Sequence, residues 1–184
     1  RQLISSEDAD AARTRLLKPE NYTFAPVIIG VDPAWTGDDS LEIMLRQGNY
    51  SKSLASIPFN DNDIEMANIV ARFEDQYGAD AVFVDGGFGT GIISAGKTMG
   101  RPWQLVWFGG KATDPGCFNK RSNMWRDMRD WAKQGGTIDP KDQELYDDMI
   151  GPETVAQLDG KIRLESKDAM KIRGLPSPNK GDAL

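Results

Sequence analysis

The sequence predicts an α/β fold built on a mixed five-stranded sheet that is flanked by helices. Two observations predict it: three strand-like segments follow one another early in the chain, and strands then alternate with amphipathic helices. The 184 residues are 39% apolar, which suits one domain with a sizeable core. We expect residues 26–184 to form this domain and residues 1–25, with a short helix over Asp8–Leu17, to be a lead-in.

The first three predicted strands form an antiparallel meander. Pro26–Val31 is a continuous β-rich run, typical of a buried strand, and Asp32 follows it directly. Leu41–Gln47 and Tyr50–Ile57 are two further strand-like segments, and the Gly48-Asn49 pair between them is typical of a two-residue hairpin turn.

Helices and strands alternate after this meander. The predicted elements are a helix ending at Gly78, a strand Ala81–Val84, a helix to Met99, a strand Trp103–Phe108, helices Asn119–Gln134 and Asp142–Ile150, a β-hairpin Thr154–Glu165 that turns at Asp159-Gly160, and a helix start at Asn179. The order of the sheet elements is that of an RNase H-like mixed sheet, in which strands one and four are adjacent and parallel. The hairpin lies outside this sheet.

Composition excludes several kinds of site. The chain has no histidine, which excludes Ser-His and Cys-His triads, histidine-bound zinc and histidine-dependent nuclease centres. Its single cysteine, Cys117, cannot form an internal disulfide. A net charge of −6 argues against DNA binding by charge alone, so DNA would be held by a local basic patch, by metal ions or by a partner. Neither a signal peptide nor an apolar run of membrane-spanning length is present, and we expect an intracellular protein without a membrane segment.

Asp32 and Asp85 each follow a predicted buried strand. If these two strands are parallel neighbours, both carboxylates emerge at the same carboxyl edge of the sheet, where open α/β sheets bind ligands. Adjacent strands lie roughly 4.8 Å apart, so the pair could share one metal ion or bridge two. Without histidine, we expect phosphodiester hydrolysis to use two Mg²⁺ or Mn²⁺ ions held by carboxylates. Asp182, at the start of a predicted helix, is the candidate third acid.

Three segments carry a resemblance to a known family. They are Ile29-Gly-Val-Asp32 with Gly37-Asp-Asp39, Val82-Phe-Val-Asp85-Gly with Gly89-Thr-Gly91, and Leu164-Glu-Ser-Lys-Asp168 followed by Ser177-Pro178 and Gly181-Asp182-Ala-Leu184. In this order and spacing they resemble the C-terminal nuclease domain of the large terminase subunit, the DNA-packaging motor protein of tailed bacteriophages. The similarity extends over nearly the whole chain.

The resemblance implies a role for each matching residue. Asp32, Asp85 and Asp182 would bind the metal ions and carry catalysis. Asn179 would support them, at a position where some relatives carry an aspartate or a histidine. The implied activity is an endonuclease that cuts concatemeric double-stranded viral DNA with low sequence specificity, in the host cell cytoplasm. The implied partners are DNA, an upstream ATPase domain reached through residues 1–25, the small terminase subunit and the portal protein.

Other interpretations remain open. The chain could be a non-catalytic DNA-binding or docking module of this fold, or another RNase H-like nuclease such as a junction resolvase. A phosphate-binding loop pattern, Gly91 to Thr98, would indicate an NTPase, but the two isoleucines inside it favour a coincidental match within a helix.

Candidate DNA contacts are Lys111, Lys161, Arg163 and Lys180, whereas most other basic side chains, Arg121 and Lys167 among them, are expected to be solvated. Among the tryptophans, Trp35 is the candidate that need not belong to the core.

Overall fold

The computed structural model describes residues 1–34 and 37–184. Trp35, the tryptophan singled out above, lies outside the described residues. The chain forms two compact units. The sheet unit comprises Leu17–Val106 with Ala183–Leu184, and the helical unit comprises Arg1–Leu16 with Trp107–Asp182.

The elements follow the predicted order in most of the chain. They are α1 (Ser6–Thr14), β1 (Val27–Asp32), β2 (Ser40–Gln47), β3 (Tyr50–Pro58), α2 (Asp63–Tyr77), β4 (Ala81–Asp85), α3 (Thr90–Thr98), β5 (Gln104–Val106), α4 (Lys120–Lys133), α5 (Gln143–Ile150), β6 (Thr154–Val155), β7 (Arg163–Leu164), α6 (Lys167–Ile172) and α7 (Asn179–Ala183). None of the helices in the described residues is long and apolar enough to cross a membrane.

The sheet unit contains a five-stranded mixed sheet with the strand order β3-β2-β1-β4-β5. β1, β2 and β3 are antiparallel, as the meander predicts, and Gly48 makes the turn between the last two with a positive φ of 57°. β4 pairs in parallel with β1, and β5 pairs in parallel with β4. These pairings confirm the predicted RNase H-like sheet.

One face of this sheet forms the core of the unit together with α2 and α3. The alternation of side chains along a strand sends every second residue to this face. The buried members are Ile29, Val31, Leu41, Ile43, Val82 and Val84 from the strands, Met66, Ala67, Val70 and Ala71 from α2, Ile92 and Ile93 from α3, and Trp103. Asp32 and Asp85 follow Val31 and Val84, so their side chains leave the opposite face.

The helical unit contains α1, α4, α5, α6 and the β6–β7 hairpin, together with α7 as far as Asp182. α1 packs on α4 and α5, with Ala9 and Ala12 fully buried, and Ile4 before it is buried as well. α1 is therefore part of the packed structure, shorter than the predicted Asp8–Leu17 and starting earlier. That residues 1–25 connect to an upstream ATPase domain stays a prediction.

The hairpin differs from its prediction. Only two residue pairs join β6 to β7, and residues 156–162 separate the strands, so Asp159-Gly160 is not the whole turn between two long strands. The reason is competition for backbone groups: Ile162 N–H donates to the Gly116 carbonyl, and the Ile162 carbonyl accepts from Phe118 N–H. α6, which the pattern analysis missed, begins after Ser166, whose hydroxyl accepts a hydrogen bond from Ala169 N–H.

Candidate metal centre

Asp32 and Asp85 end two adjacent parallel strands. Val31 is the register partner of Val84, and each aspartate is the next and last residue of its strand. The prediction placed them one residue beyond their strands. The extra residue of regular backbone holds both carboxylates more firmly than a loop would, and it keeps them at the same carboxyl edge.

The two aspartates differ in exposure. Asp32 is 1% exposed, whereas Asp85 is half-buried. Asp85 Oδ1 accepts a hydrogen bond of 3.0 Å from Gly87 N–H in the turn after β4. This Asx-type turn fixes the rotamer of Asp85 and leaves part of its carboxylate open to solvent. The pair therefore combines one water-excluded carboxylate with one accessible carboxylate.

A third carboxylate, Glu42, lies across from Asp32 on β2. Asp32 and Glu42 are register partners in the antiparallel β1–β2 ladder, and Glu42 is 0% exposed. Its Oε1 accepts hydrogen bonds from the hydroxyls of Ser40, at 2.6 Å, and Ser56, at 2.7 Å. Sequence reasoning missed Glu42, although an acid inside the otherwise apolar run of β2 is a signal that could have drawn attention to it.

Asp182 lies in a buried cluster of the helical unit. Its side chain has an exposed fraction of 0% and meets Arg121 Nε at 3.2 Å and Lys167 Nζ at 3.0 Å. Trp125 Nε1 donates a third contact, of 2.8 Å, to the same carboxylate. Burial alone would raise the pKa of Asp182, but the charges of Arg121 and Lys167 hold that pKa below its usual value. Arg121 is therefore buried rather than solvated, which corrects the prediction, and Lys167 is held in an ion pair.

Asp182 is carried by α7, and α7 is held by Asp148. The Asp148 carboxylate, on α5, accepts hydrogen bonds from the N–H groups of Lys180, at 2.9 Å, and Gly181, at 3.3 Å. Asn179 begins α7, three residues before Asp182, which is the spacing of side chains on one helix face. Asp148 therefore caps the short helix that presents both predicted site residues.

Asp148 gives a testable pH dependence. Burial raises its pKa to about 8, although the hydrogen bonds from Gly181 and Lys180 act in the opposite direction. An unfolded aspartate has a pKa of about 3.9, so between these values unfolding releases a proton, and stability falls as pH rises by up to about 1.4 kcal/mol per pH unit. Asp148→Asn keeps an acceptor oxygen but cannot ionise. We expect urea unfolding to show that the variant gains stability over the wild type from about pH 5 to about pH 7.5.

The exposed neighbour Asp147 supplies the control for this experiment. Asp147→Asn makes the same chemical change one residue away on α5, and we expect it to leave the pH dependence as in the wild type. A stability difference between Asp148→Asn and wild type that stays constant with pH would show that Asp148 is ionised throughout this range.

Comparison with solved structures identifies the fold. The chain is similar to the nuclease domain of the large terminase subunit gp2 of the bacterial virus Sf6, with a TM-score of 0.75, 23% identity and coverage of 100% of this chain and 96% of that one. The large terminase nuclease of the thermophilic phage G20c is similar with a TM-score of 0.71 and 11% identity, over 99% and 94% of the two chains. The chain has the fold of a terminase nuclease domain.

A longer protein contains the same fold. The large terminase of another thermophilic bacteriophage matches 99% of this chain over 43% of its own length, with a TM-score of 0.61 and 10% identity. No family model matches the sequence, and no curated protein matches it either. The likeness to the terminase nuclease domains is therefore a likeness of fold, at sequence identities of 23% and below.

No group of three or more aspartate, glutamate or cysteine side chains that could enclose a metal ion is found within residues 1–34 and 37–184. Within the sheet unit Asp32 and Asp85 lie at the ends of adjacent parallel strands, and Glu42 is the register partner of Asp32. Two carboxylates at one sheet edge offer the oxygen ligands that Mg²⁺ and Mn²⁺ prefer, and the remaining positions of such ions are filled by water or substrate.

The predicted DNA contacts fall into two groups. Lys111 and Lys161 are exposed and available to a ligand. Lys180 Nζ instead meets Asp142 Oδ1 at 3.0 Å and Glu144 Oε2 at 3.5 Å, while the Arg163 guanidinium lies 4.3 Å from the centre of the Phe118 ring. Lys180 and Arg163 thus also hold the structure of the helical unit.

The phosphate-binding loop pattern lies inside a helix. Gly91 to Thr98 belong to α3, and Ile92 and Ile93 are buried in the core of the sheet unit. A phosphate-binding loop must point successive backbone N–H groups at the phosphates, whereas from Ile93 onward these groups donate within α3. The match is coincidental, as the sequence predicts.

Proposed function

We propose that the chain is a divalent-metal-dependent endonuclease that cuts double-stranded DNA during viral DNA packaging, with low sequence specificity. The observation that carries this proposal is the placement of Asp32 and Asp85 at the ends of adjacent parallel strands, on the face opposite the core. The terminase nuclease fold supports it.

Divalent metals suit these residues. Among the similar structures, a mutant of the Sf6 nuclease domain was solved with manganese and the G20c nuclease with bound magnesium. In this chain, Asp32 and Asp85 would hold such ions, and two ions is the number we propose. When bound, they supply a nucleophile at neutral pH and neutralise charge on the phosphate oxygens.

The side chains of the site have distinct tasks in this proposal. Asp32, which is excluded from water, fixes the position of the metal, and Asp85, which is partly open, faces the substrate side. Asp182 is proposed as the third ligand and Asn179 as its support, on the resemblance of the segment that carries them. Within the helical unit the carboxylate of Asp182 contacts Arg121 and Lys167.

Cleavage of supercoiled plasmid tests the proposal. We expect nicking and linearisation by the wild-type chain with Mn²⁺ or Mg²⁺, and none with a chelator. Asp32→Asn, Asp85→Asn and Asp182→Asn keep the side-chain size but remove one charged ligand each, and should lower the rate by at least about 100-fold. Asp80→Asn is the control, because Asp80 precedes β4 at the opposite end of the sheet, where its Oδ2 accepts a hydrogen bond from Val27 N–H.

The outcomes separate the alternatives. Full activity in Asp85→Asn would overturn the proposed site. A wild-type chain that retards DNA in a gel but never cuts it would be a binding module, and a strong preference for branched DNA would indicate a junction resolvase. The ATPase domain, the small subunit and the portal remain proposed partners of a longer protein.

A further inference from the structure

Glu42 is a buried acid that the proposed function does not use. It is fully buried on β2, and it is the register partner of Asp32, the more buried of the two aspartates at this sheet edge. Side chains of directly opposite residues in an antiparallel ladder lie on the same face, with Cβ atoms about 5 Å apart. Glu42 therefore stands beside Asp32 on the face away from the core.

The environment of Glu42 holds its carboxylate in one position. Ser40 on β2 and Ser56 on β3 both donate to Oε1, at 2.6 and 2.7 Å. These distances fall in the range of hydroxyl-to-carboxylate hydrogen bonds, which are shorter and stronger than those between neutral groups. The two serines thus keep the carboxylate of Glu42 on the strand next to Asp32.

This arrangement has an energetic consequence. Like charges directly opposite each other on neighbouring strands destabilise a sheet, and burial of charge from water adds to that cost. A divalent cation bound at Asp32 would be attracted by the carboxylates of both Asp32 and Glu42. Binding of the ion would relieve the repulsion between these two carboxylates, which makes binding more favourable. If Glu42 only linked β2 to β3, its hydrogen bonds from Ser40 and Ser56 would suffice and its negative charge would not be needed.

We propose that Glu42 is a positioning residue of the Asp32–Asp85 metal site, which raises the affinity of the site for divalent cations through its charge. It acts next to Asp32 without being a ligand itself. This inference rests on the proposed function, because it presupposes that Asp32 binds a metal ion.

The test compares Glu42→Gln with wild type by calorimetric titration of the purified chain with Mn²⁺ and by thermal unfolding with and without the ion. Glutamine can still accept from both serines, so a purely structural role predicts unchanged Mn²⁺ affinity. We expect affinity to fall by at least about tenfold, because a negative charge near the ion is lost. We also expect the Tm without metal to stay level or rise, because the repulsion with Asp32 is relieved.

Two further variants complete the test. Asp80→Asn removes one negative charge at the other end of the same sheet and should leave Mn²⁺ affinity unchanged. Ser56→Ala keeps the Glu42 charge but removes one of its two donors, and should weaken Mn²⁺ binding less than Glu42→Gln does.

Each result decides the inference. Unchanged Mn²⁺ affinity in Glu42→Gln, in a chain whose wild type binds Mn²⁺ and cuts DNA, would overturn the role of Glu42 and leave the proposed function standing. A wild type that binds no Mn²⁺ would overturn both. Weaker binding in Glu42→Gln, with Asp80→Asn unaffected, supports the inference.

Discussion

Replacing Arg121 with methionine is expected to lower the free energy of unfolding by about 3 to 5 kcal/mol. Arg121 contacts Asp182 at 3.2 Å, and the exposed fractions of the two side chains are 10% and 0%. Removing one partner of a buried ion pair leaves the other charge in a place from which water is excluded. Urea unfolding at constant pH measures the loss.

Arg126 on the same helix is the matched control. It contacts Asp114 at 2.5 Å and Asp127 at 2.9 Å, but these carboxylates are 41% and 62% exposed. Exposed ion pairs contribute about 1 kcal/mol or less, so Arg126→Met should cost little. If Arg121→Met and Arg126→Met lower the free energy of unfolding by the same amount, burial does not determine how much the Arg121–Asp182 pair contributes.

A double substitution distinguishes the lost charge from the lost packing. Arg121→Met together with Asp182→Asn removes both charges of the pair, and we expect it to recover part of the stability that Arg121→Met loses. The recovery should occur without any return of nuclease activity. No recovery would mean that the packing of Arg121, including its position over the Trp125 ring, dominates the effect.

Gly30→Ala is expected to destabilise the chain by about 3 kcal/mol. A Cβ atom at Gly30 would overlap the carbonyl oxygen of Ala183, which is backbone and cannot rotate away. For a chain of this size such a loss lowers Tm by about 6 to 12 °C. Because Ala183 directly follows Asp182, we also expect lower nuclease activity.

Gly109→Ala is the control for this prediction. A Cβ atom at Gly109 would meet nothing within 4 Å among the described residues, and its backbone does not require glycine. Thermal unfolding followed by circular dichroism should show a Tm close to that of the wild type. If Gly30→Ala has the same Tm as the wild type, the Ala183 carbonyl is able to move away from β1.

The sheet could be predicted because its signals are local. The apolar runs of β1 and β4, the Gly48 turn and the apolar stripe of α2 are each contained in short stretches, and each agrees with the fold as a whole. The placement of Asp32 and Asp85 at one sheet edge followed from the ends of their two strands. The prediction needed only that the two strands be neighbours, which the order of elements indicated.

Other parts depend on contacts between distant residues. Arg121 looks like a solvated charge in sequence because nothing within its own helix shows that Asp182, 61 positions away, will meet it. Glu42 could be connected to Asp32 only through the register of β1 and β2. The hairpin is present but shorter than predicted for the same reason, because residues 116–118 take hydrogen bonds that its alternating pattern assigns to β6.

The segments of the helical unit are separated by the sheet unit in the chain. α1 precedes the sheet unit in the chain, yet the helices that cover Ala9 and Ala12 begin only at Lys120. At about 5 to 20 residues per second, a ribosome needs roughly 5 to 20 s to make the intervening residues. During that interval α1 has no completed surface to pack on, while the meander of the sheet unit can already pair. The residues of α1 are thus synthesised before the sheet unit but reach their final contacts only after α4 and α5 are complete.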